Sequence, residues 1–392
     1  MRYITADQIF SGKDFFATGT VLVLDNSNTI QDIISTDQVE KSNVKHFNGI
    51  ITPGFINTHC HLELSHLRGI IKQHTGIVDF GLSVIKHRND QSPEAQLEAM
   101  LHADKEMCEQ GIVAVGDISN TNASIEAKKR SPLYYHTFVE LIALNPERAQ
   151  PVFDVGKATL TDFAKNDLSV SLAPHAPYST SLQLIEQISD HCASIKKPTS
   201  IHNQESKAEN DFFISKTGDY LRLYETINIV IDYFNASGKT SLQSIAPALN
   251  KEINALLVHN TFTTKKDIAF VQKTHPNLYW CLCANANLYI ENTLPNISLL
   301  QSMNCTLTIG TDSLASNSKL SIIDEINTIL KHQPASSIDS LLKAATYNGS
   351  CFLGIENELG LIEKNRNCGI NLIEGNPGKF SVKVLSDVNR RG

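Results

Sequence analysis

A few residues able to hold a metal ion or move a proton recur along this chain at wide, ordered intervals. His59 and His61 flank Cys60, His202 and Glu205 form a His-x-x-Glu pair, His259 follows, and Asp312 sits in Gly310-Thr311-Asp312-Ser313. Each falls at the end of a short apolar run of the kind that makes a buried strand. In a barrel of parallel strands such ends converge on one face. Alternate residues of an extended strand point to the same side, so His59 and His61 can reach one point. Three imidazoles and one carboxylate, His59, His61, His202 and Asp312, make a donor set for a catalytic zinc-type ion. Glu205 and His259 would stand beside it as acid/base groups.

Taken singly, each residue has a plainer reading. A lone His-x-His arises readily by chance. His202, after Thr199-Ser200-Ile201, suits a hydrogen-bonded core histidine. Asp312 suits a helix N-cap. Glu205, with Ser206, Lys207 and Glu209 nearby, suits a solvated carboxylate at a helix start. The chemical reading rests on all of them occurring in order at predicted strand ends.

The elements that must position them alternate strand and helix, the pattern of βα units. Candidate strands are Gly54–Thr58, Ile112–Asp117, Tyr135–Leu141, Leu168–Ala173, Thr199–His202, Ala255–His259, Leu278–Cys283 and Thr306–Gly310. Amphipathic helices are expected over Ser92–Gln110, Leu182–Ile195 and Ile322–His332. The expected fold is an α/β (β/α)8 TIM barrel over residues 53–354. A doubly wound sheet is the alternative, but no Gly-x-Gly-x-x-Gly loop leaves any strand to favour it. The ends read differently. Arg2–Phe10, Thr20–Ile34 and Gly369–Ile373 look like strands broken by turn residues. They predict a small β-sandwich domain built from 1–52 and 355–392.

Composition agrees with a large enzyme-sized barrel plus a satellite: the chain has 392 residues, 41% of them hydrophobic. A net charge of −7 without a basic tract argues against nucleic acid as a partner. The start of the chain lacks the apolar core of a signal peptide. No apolar run approaches the ~20 residues of a membrane helix. The eight cysteines form no Cys-x-x-Cys pair, which predicts free thiols and a reducing cytoplasm. Cys281 and Cys283 read as core thiols. The expected partners are a small-molecule substrate and, in a homodimer, a second copy of the chain, with no nucleic acid and no membrane.

On these residues the chain resembles the amidohydrolase superfamily, in its deaminase and chlorohydrolase branch. The likeness runs from Pro53-Gly54-Phe55-Ile56-Asn57-Thr58-His59-Cys60-His61 to Asn367-Cys368-Gly369-Ile370-Asn371-Leu372. It includes His202 with Glu205, Leu257-Val258-His259-Asn260, and Gly310 through Asn317. The resemblance implies a (β/α)8 barrel with a small β-sandwich from both ends. It also implies one divalent ion per chain, zinc first with iron or manganese as alternatives, held by His59, His61, His202 and Asp312. Two departures stand out. The branch often carries Cys-Pro-x-Ser-Asn at the seventh strand, where this chain has Cys283-Ala284-Asn285-Ala286-Asn287, and that bears on specificity. The fourth strand has no lysine, whereas binuclear relatives bridge two ions with a carboxylated lysine there, so a mononuclear site is expected.

The implied reaction is hydrolytic deamination of an aminated purine nucleoside or similar N-heterocycle. The ion lowers the pKa of a bound water, Asp312 takes its proton, Glu205 protonates the adjacent ring nitrogen, and His259 holds the attacking oxygen. His175, bracketed by Pro174 and Pro177, with Glu63 and Arg68, is expected to bind substrate. Arginine suits a carboxylate. The His-x-His-Leu-Glu run and Val78-Asp79-Phe80 are similar to aminodeoxyfutalosine deaminases, which act on a 6-aminopurine nucleoside bearing a benzoate. A chlorohydrolase or cyclic amide hydrolase is the alternative within the class. A non-catalytic barrel that only binds is the alternative outside it, and loss of a ligand residue would mark that.

Overall fold

Strands form where β-branched and apolar runs are cut by turn residues. The computed structural model describes residues 1–388. Its first four strands are β1 (Arg2–Ile9), β2 (Thr20–Leu24), β3 (Ile30–Ser35) and β4 (Val44–Pro53). Then come β5 (Phe55–Cys60), β6 (Ile112–Ser119), β7 (Tyr134–Leu141) and β8 (Ser169–Pro174), followed by β9 (Thr199–Asn203), β10 (Ala255–His259), β11 (Leu278–Leu282) and β12 (Thr306–Ile309). The chain closes with β13 (Ile370–Glu374) and β14 (Ser381–Ser386).

β5 to β8 pair in parallel in chain order, and so do β9 to β12. All eight appear within two residues of their predicted limits. β5, β6, β9 and β10 are buried at every position. That explains why they read as unbroken apolar runs rather than alternating ones. The two sheets are hydrogen-bonded to each other at both edges. At one edge the Thr311 and Asp312 amides donate to the His59 carbonyl (3.0 and 3.1 Å), and Thr58 Oγ1 donates to the Ile309 carbonyl (3.1 Å). Gly310 makes this approach feasible, since a Cβ there would lie 2.7 Å from His59 Cβ and 2.8 Å from Cys281 Sγ. At the other edge the His202 amide donates to the His175 carbonyl (2.9 Å), and Thr199 Oγ1 to the Leu172 carbonyl (3.0 Å).

Helices cover the sheets through apolar stripes at three- and four-residue spacing. Pro93–Glu109 starts at Ser92, whose hydroxyl accepts from the Ala95 amide, and buries Met100, Ala103 and Met107. Ile322–His332 starts at Ser321 and buries Ile322, Ile323, Ile326 and Ile329. Ser181 caps Leu182–Ser194 in the same way.

Both chain ends enter one mixed six-stranded sheet, ordered β14-β13-β4-β1-β2-β3. β1 and β4 are parallel and the other neighbours antiparallel. Its apolar face is formed by residues such as Ile4, Leu22, Ile51, Ile370 and Leu372. β4 and β14 are additions to the predicted strands. β4 is polar and exposed in its first half, so its apolar signal covers only Ile50 to Pro53. Only Gly54 separates β4 from β5, so the sheet of the chain ends leads straight into the strand that carries His59.

Candidate metal centre and active site

The strand ends bring the predicted ligands together. His61 Nε2 lies 3.2 Å from His59 Nε2 and 3.3 Å from His202 Nε2. Asp312 Oδ1 is 3.7 Å from His59 Nε2 and 3.5 Å from His61 Nε2. Burial pushes all three imidazoles toward the neutral form. Burial would also raise Asp312, but its hydrogen bond to His59 and the neighbouring imidazoles outweigh that and hold it well below the usual range. His202 Nδ1 is committed to the His175 carbonyl at 2.7 Å, which fixes the tautomer and leaves the Nε2 lone pair for the cluster. Three neutral imidazole nitrogens facing one another repel unless a cation lies among them. With an ionised carboxylate they form a complete set for one divalent ion, and His59, His61 and His202 form a candidate metal site.

The backbone around this cluster is strained. Gln204 (φ 45°), His259 (φ 74°) and Asp312 (φ 56°) all lie in the left-handed region although none is glycine, at a cost of about 1–3 kcal/mol each. The turns throw Glu205, His259 and Asp312 toward one another. Ser316 Oγ donates to Asp312 Oδ2 at 2.5 Å, leaving Oδ1 facing the imidazoles.

Glu205 is buried beside the cluster, not solvated. Its Oε1 is 3.5 Å from His259 Nε2. Glu209 accepts from the Gln204 and Glu205 amides (2.9 and 3.3 Å), which fixes the turn that presents the carboxyl. Burial first, then the charges of Asp312, Glu209 and Glu291, raise Glu205 well above the usual carboxylate range. Its surroundings therefore favour the protonated form, next to an Asp312 whose surroundings favour the ionised form.

A cavity of about 460 Å³ opens over the cluster, and His61, His202, Glu205, His259 and Asp312 all reach it. His175 lines it too, with Nδ1 held 2.5 Å from Ser179 Oγ. Burial pushes His175 down to about 4, so it stays neutral. Glu63 and Arg68, expected to bind substrate, are not among the residues that line this cavity. Glu63 accepts from the Asn120 amide (3.1 Å) and Thr121 Oγ1 (2.9 Å). Arg68 forms an ion pair with Glu106 on a covering helix. The cavity instead presents Asn120, Glu140, Arg88 and Arg148, which the sequence reading did not select. Glu140 stands at the end of β7, so the strand-end rule already pointed to it. Arg88 and Arg148 follow elements whose paths a sequence does not reveal.

Residues 50–390 match the Amidohydrolase family, and the chain belongs to it. It is 24% identical over 345 residues to an aminodeoxyfutalosine deaminase of a Nitratiruptor species, covering 86% of this chain and 82% of that protein. It is 23% identical over 329 residues to an adenosine deaminase of Helicobacter pylori, covering 83% and 79%. In structure it is similar to the Helicobacter pylori aminofutalosine deaminase in complex with methylthio-coformycin, with a TM-score of 0.79, 21% identity and 96% and 93% of the two chains covered. It is also similar to the zinc-complexed atrazine chlorohydrolase TrzN of Arthrobacter aurescens, with a TM-score of 0.72, 17% identity and coverage of 95% and 86%. At these identities the structural likeness bears on the fold.

Proposed function

We propose that this chain is a metal-dependent deaminase of an aminated purine nucleoside or a similar N-heterocycle. The two parallel sheets, bonded at both edges, are read as one closed (β/α)8 barrel over 53–354, with the sheet of 1–52 and 355–392 as the small β-sandwich domain. The observation that carries the functional reading is the buried Glu205 carboxyl, 3.5 Å from His259, together with Asp312 at a three-imidazole cluster, where the surroundings favour the protonated form of the first and the ionised form of the second. Two carboxyls whose surroundings drive them to opposite protonation states are the marks of an acid and a base.

His59, His61, His202 and Asp312 would hold one divalent ion, zinc first. Such an ion supplies Lewis acidity that makes water ionisable near neutral pH. Asp312 Oδ1 accepts the proton of the attacking water. His259, with its Nδ1–H committed to Asn287, presents Nε2 as the acceptor that orients that water. Glu205 delivers its proton to the ring nitrogen next to the attacked carbon, so negative charge does not build up in the ring. Water adds, Asp312 passes the proton it took to the amino nitrogen, the carbon–nitrogen bond breaks and ammonia leaves, and the added hydroxyl returns its proton to Glu205 as it becomes the carbonyl. That Glu205 needs a ring nitrogen as its target favours an amidine-like carbon over a simple lactam. The deaminase names of the relatives support the same choice.

The Arg88 and Arg148 guanidinium groups line the cavity without an ion-pair partner among the described residues. They suit an anionic appendage on the nucleoside, as in an aminodeoxyfutalosine-like substrate. The test is ammonia release from aminated purine nucleosides, pterins and triazines by zinc-, iron- and manganese-loaded protein. Release of chloride from a chlorinated triazine, or opening of a cyclic amide without ammonia, would replace the deaminase by the corresponding hydrolase.

A further inference from the structure

One carboxylate oxygen in the cavity wall is buried without a partner. Glu140, the last residue but one of β7, is 6% exposed and lines the cavity. Its Oε2 accepts from Asn120 Nδ2 at 2.8 Å, while its Oε1 has no hydrogen-bond partner. Buried carboxylate oxygens are normally satisfied, so an orphan calls for an explanation.

The neighbouring histidine does not provide one. His202 Nδ1 is 3.6 Å from Glu140 Oε1, but its proton goes to the His175 carbonyl at 2.7 Å. A second cation does not provide one either. Glu140, His175 and His202 offer atoms within 4.8 Å of one another, yet Nδ1 of His202 is spent on the carbonyl and Nε2 belongs to the first cluster.

The support beneath Glu140 is itself built. Asn120, just beyond β6, is fixed by its amide on Glu63 Oε2 (3.1 Å). Glu63 Oε1 takes the Thr121 hydroxyl at 2.9 Å. Glu63 therefore acts behind the wall, holding the loop that holds the carboxylate. The result is a rigid acceptor in the cavity wall, with its second oxygen buried and unpartnered. Burial raises its carboxyl, and the His61 imidazole, the Asn120 hydrogen bond, the His59 imidazole and the Arg88 guanidinium offset part of that rise. It stands beside the imidazole cluster, 3.6 Å from His202 Nδ1, in the wall of the cavity that the arginines also line.

We infer that Glu140 is a specificity-determining acceptor that takes a hydrogen bond from a sugar hydroxyl of the substrate, with Asn120 and Glu63 as its positioning residues. This rests on the deaminase reading. A hydroxyl is the donor that a nucleoside carries between its base and its outer substituent, and a carboxylate is the acceptor that binds it most strongly.

The experiment uses zinc-loaded full-length protein and three nucleosides: adenosine, 2′-deoxyadenosine and 2′,3′-dideoxyadenosine. Initial rates give kcat and KM, and calorimetry on the Glu205→Gln protein gives dissociation constants without turnover. The wild type is expected to prefer adenosine to the dideoxy form by about ten- to hundredfold in kcat/KM, carried mainly by KM. Glu140→Gln should erase most of that preference by lowering kcat/KM on adenosine far more than on the dideoxy form, and Asn120→Ala should reduce it. Calorimetric affinities should follow the same pattern. A Glu140→Gln protein that keeps the full preference overturns the inference. So does one that loses activity equally on all three nucleosides, because that places the effect on the His202 side. Should Glu140→Gln not fold, the Asn120→Ala pattern and the wild-type series decide alone. Ammonia from none of the three in the wild type overturns the inference, and the deaminase reading falls with it only if the carboxylate-bearing aminopurine nucleosides, pterins and triazines release none either, whereas an active wild type without sugar preference removes the inference only.

Discussion

His259 and Asn287 are joined by a single hydrogen bond of 2.7 Å that runs from the end of β10 to the helix Ala284–Glu291. Burial pushes His259 toward its neutral form. With Nδ1–H donated to Asn287 Oδ1, its Nε2 lone pair faces Glu205 and the cavity. Asn287 ends a run whose middle residues depart from the family pattern. Asn287→Ala should lower kcat by about tenfold, the worth of one hydrogen bond, with KM nearly unchanged. Asn287→Asp places a negative charge on Nδ1 and stabilises the imidazolium. The acidic limb of the pH–rate profile should then move to higher pH. An unmoved limb in the Asp variant would take His259 out of the reaction.

Glu205 gives the opposite limb. Its carboxyl is raised well above the usual range by burial, so the active, protonated form persists to higher pH than in a free carboxylate and is lost as pH rises through that raised value. Glu205→Gln should reduce turnover by about 10² to 10⁴, remove the basic limb, and leave zinc content unchanged in elemental analysis. Near-wild-type turnover would make the carboxyl a bystander.

One ion per chain is the expected stoichiometry, because the described ligands close on a single point and β8 carries no lysine. Elemental analysis should give one equivalent, and His61→Ala should bind it much more weakly. Removing the ion with a chelator should also lower the melting temperature. A ligand bound only to the folded state at a thousand times its Kd adds about 4 kcal/mol. Two tightly held ions with activity following the second would overturn the mononuclear site.

The parts that were legible in the sequence are those dictated by burial and strand periodicity. The eight parallel strands announce themselves because both faces are buried, and His59, His61, His202, His259 and Asp312 follow as the polar residues at their ends. Glu140 obeyed the same rule but was masked by the more familiar histidine motifs. Arg68 and Glu63 were placed in the pocket because their turn follows the ligand His61 directly. Leu62–Leu67 is a tight 3-10 turn, and the direction in which such a turn leaves a strand is set by tertiary packing. Arg88 and Arg148 reach the cavity through the fold alone.

Glu325 makes the altered seventh-strand run intelligible and yields a stability prediction. It accepts from the Asn285 amide (3.0 Å), Asn285 Nδ2 (2.9 Å) and Asn317 Nδ2 (2.9 Å). Asn317 also donates to the Thr311 carbonyl next to Asp312 (3.0 Å). One buried carboxyl thus ties the segment before Asn287 to the segment behind Asp312. Burial raises it from 4.5 to about 8. The folded state therefore binds this proton more tightly than the unfolded state. The stability it contributes is complete below pH 4.5 and lost as pH rises through about 8. Denaturant unfolding of Glu325→Gln should show a flatter pH dependence across that window than the wild type. An equally steep decline in the variant would assign the dependence to other groups.

The arginines separate the two accounts of substrate binding. Arg68 is bound to Glu106 on a covering helix, and surface pairs of this kind contribute only about 0–1 kcal/mol. Arg68→Ala should therefore leave kcat and KM unchanged on every substrate. Arg88 and Arg148 line the cavity without ion-pair partners among the described residues, and a carboxylate entering there would be met by planar guanidinium donors. Arg88→Ala and Arg148→Ala should each raise KM on an aminated purine nucleoside carrying a carboxylate, by about tenfold or more for a lost charged hydrogen bond. Neither should alter KM on the neutral nucleoside, and kcat should hold for both because the contact is remote from the reacting carbon. The comparison needs two substrates that differ only in that carboxylate, and the ratio of their kcat/KM values measured in wild type and each variant. If the ratio stays at its wild-type value in Arg88→Ala and Arg148→Ala but collapses in Arg68→Ala, the carboxylate is read from the Leu62–Leu67 side after all, and the cavity rearranges when substrate enters.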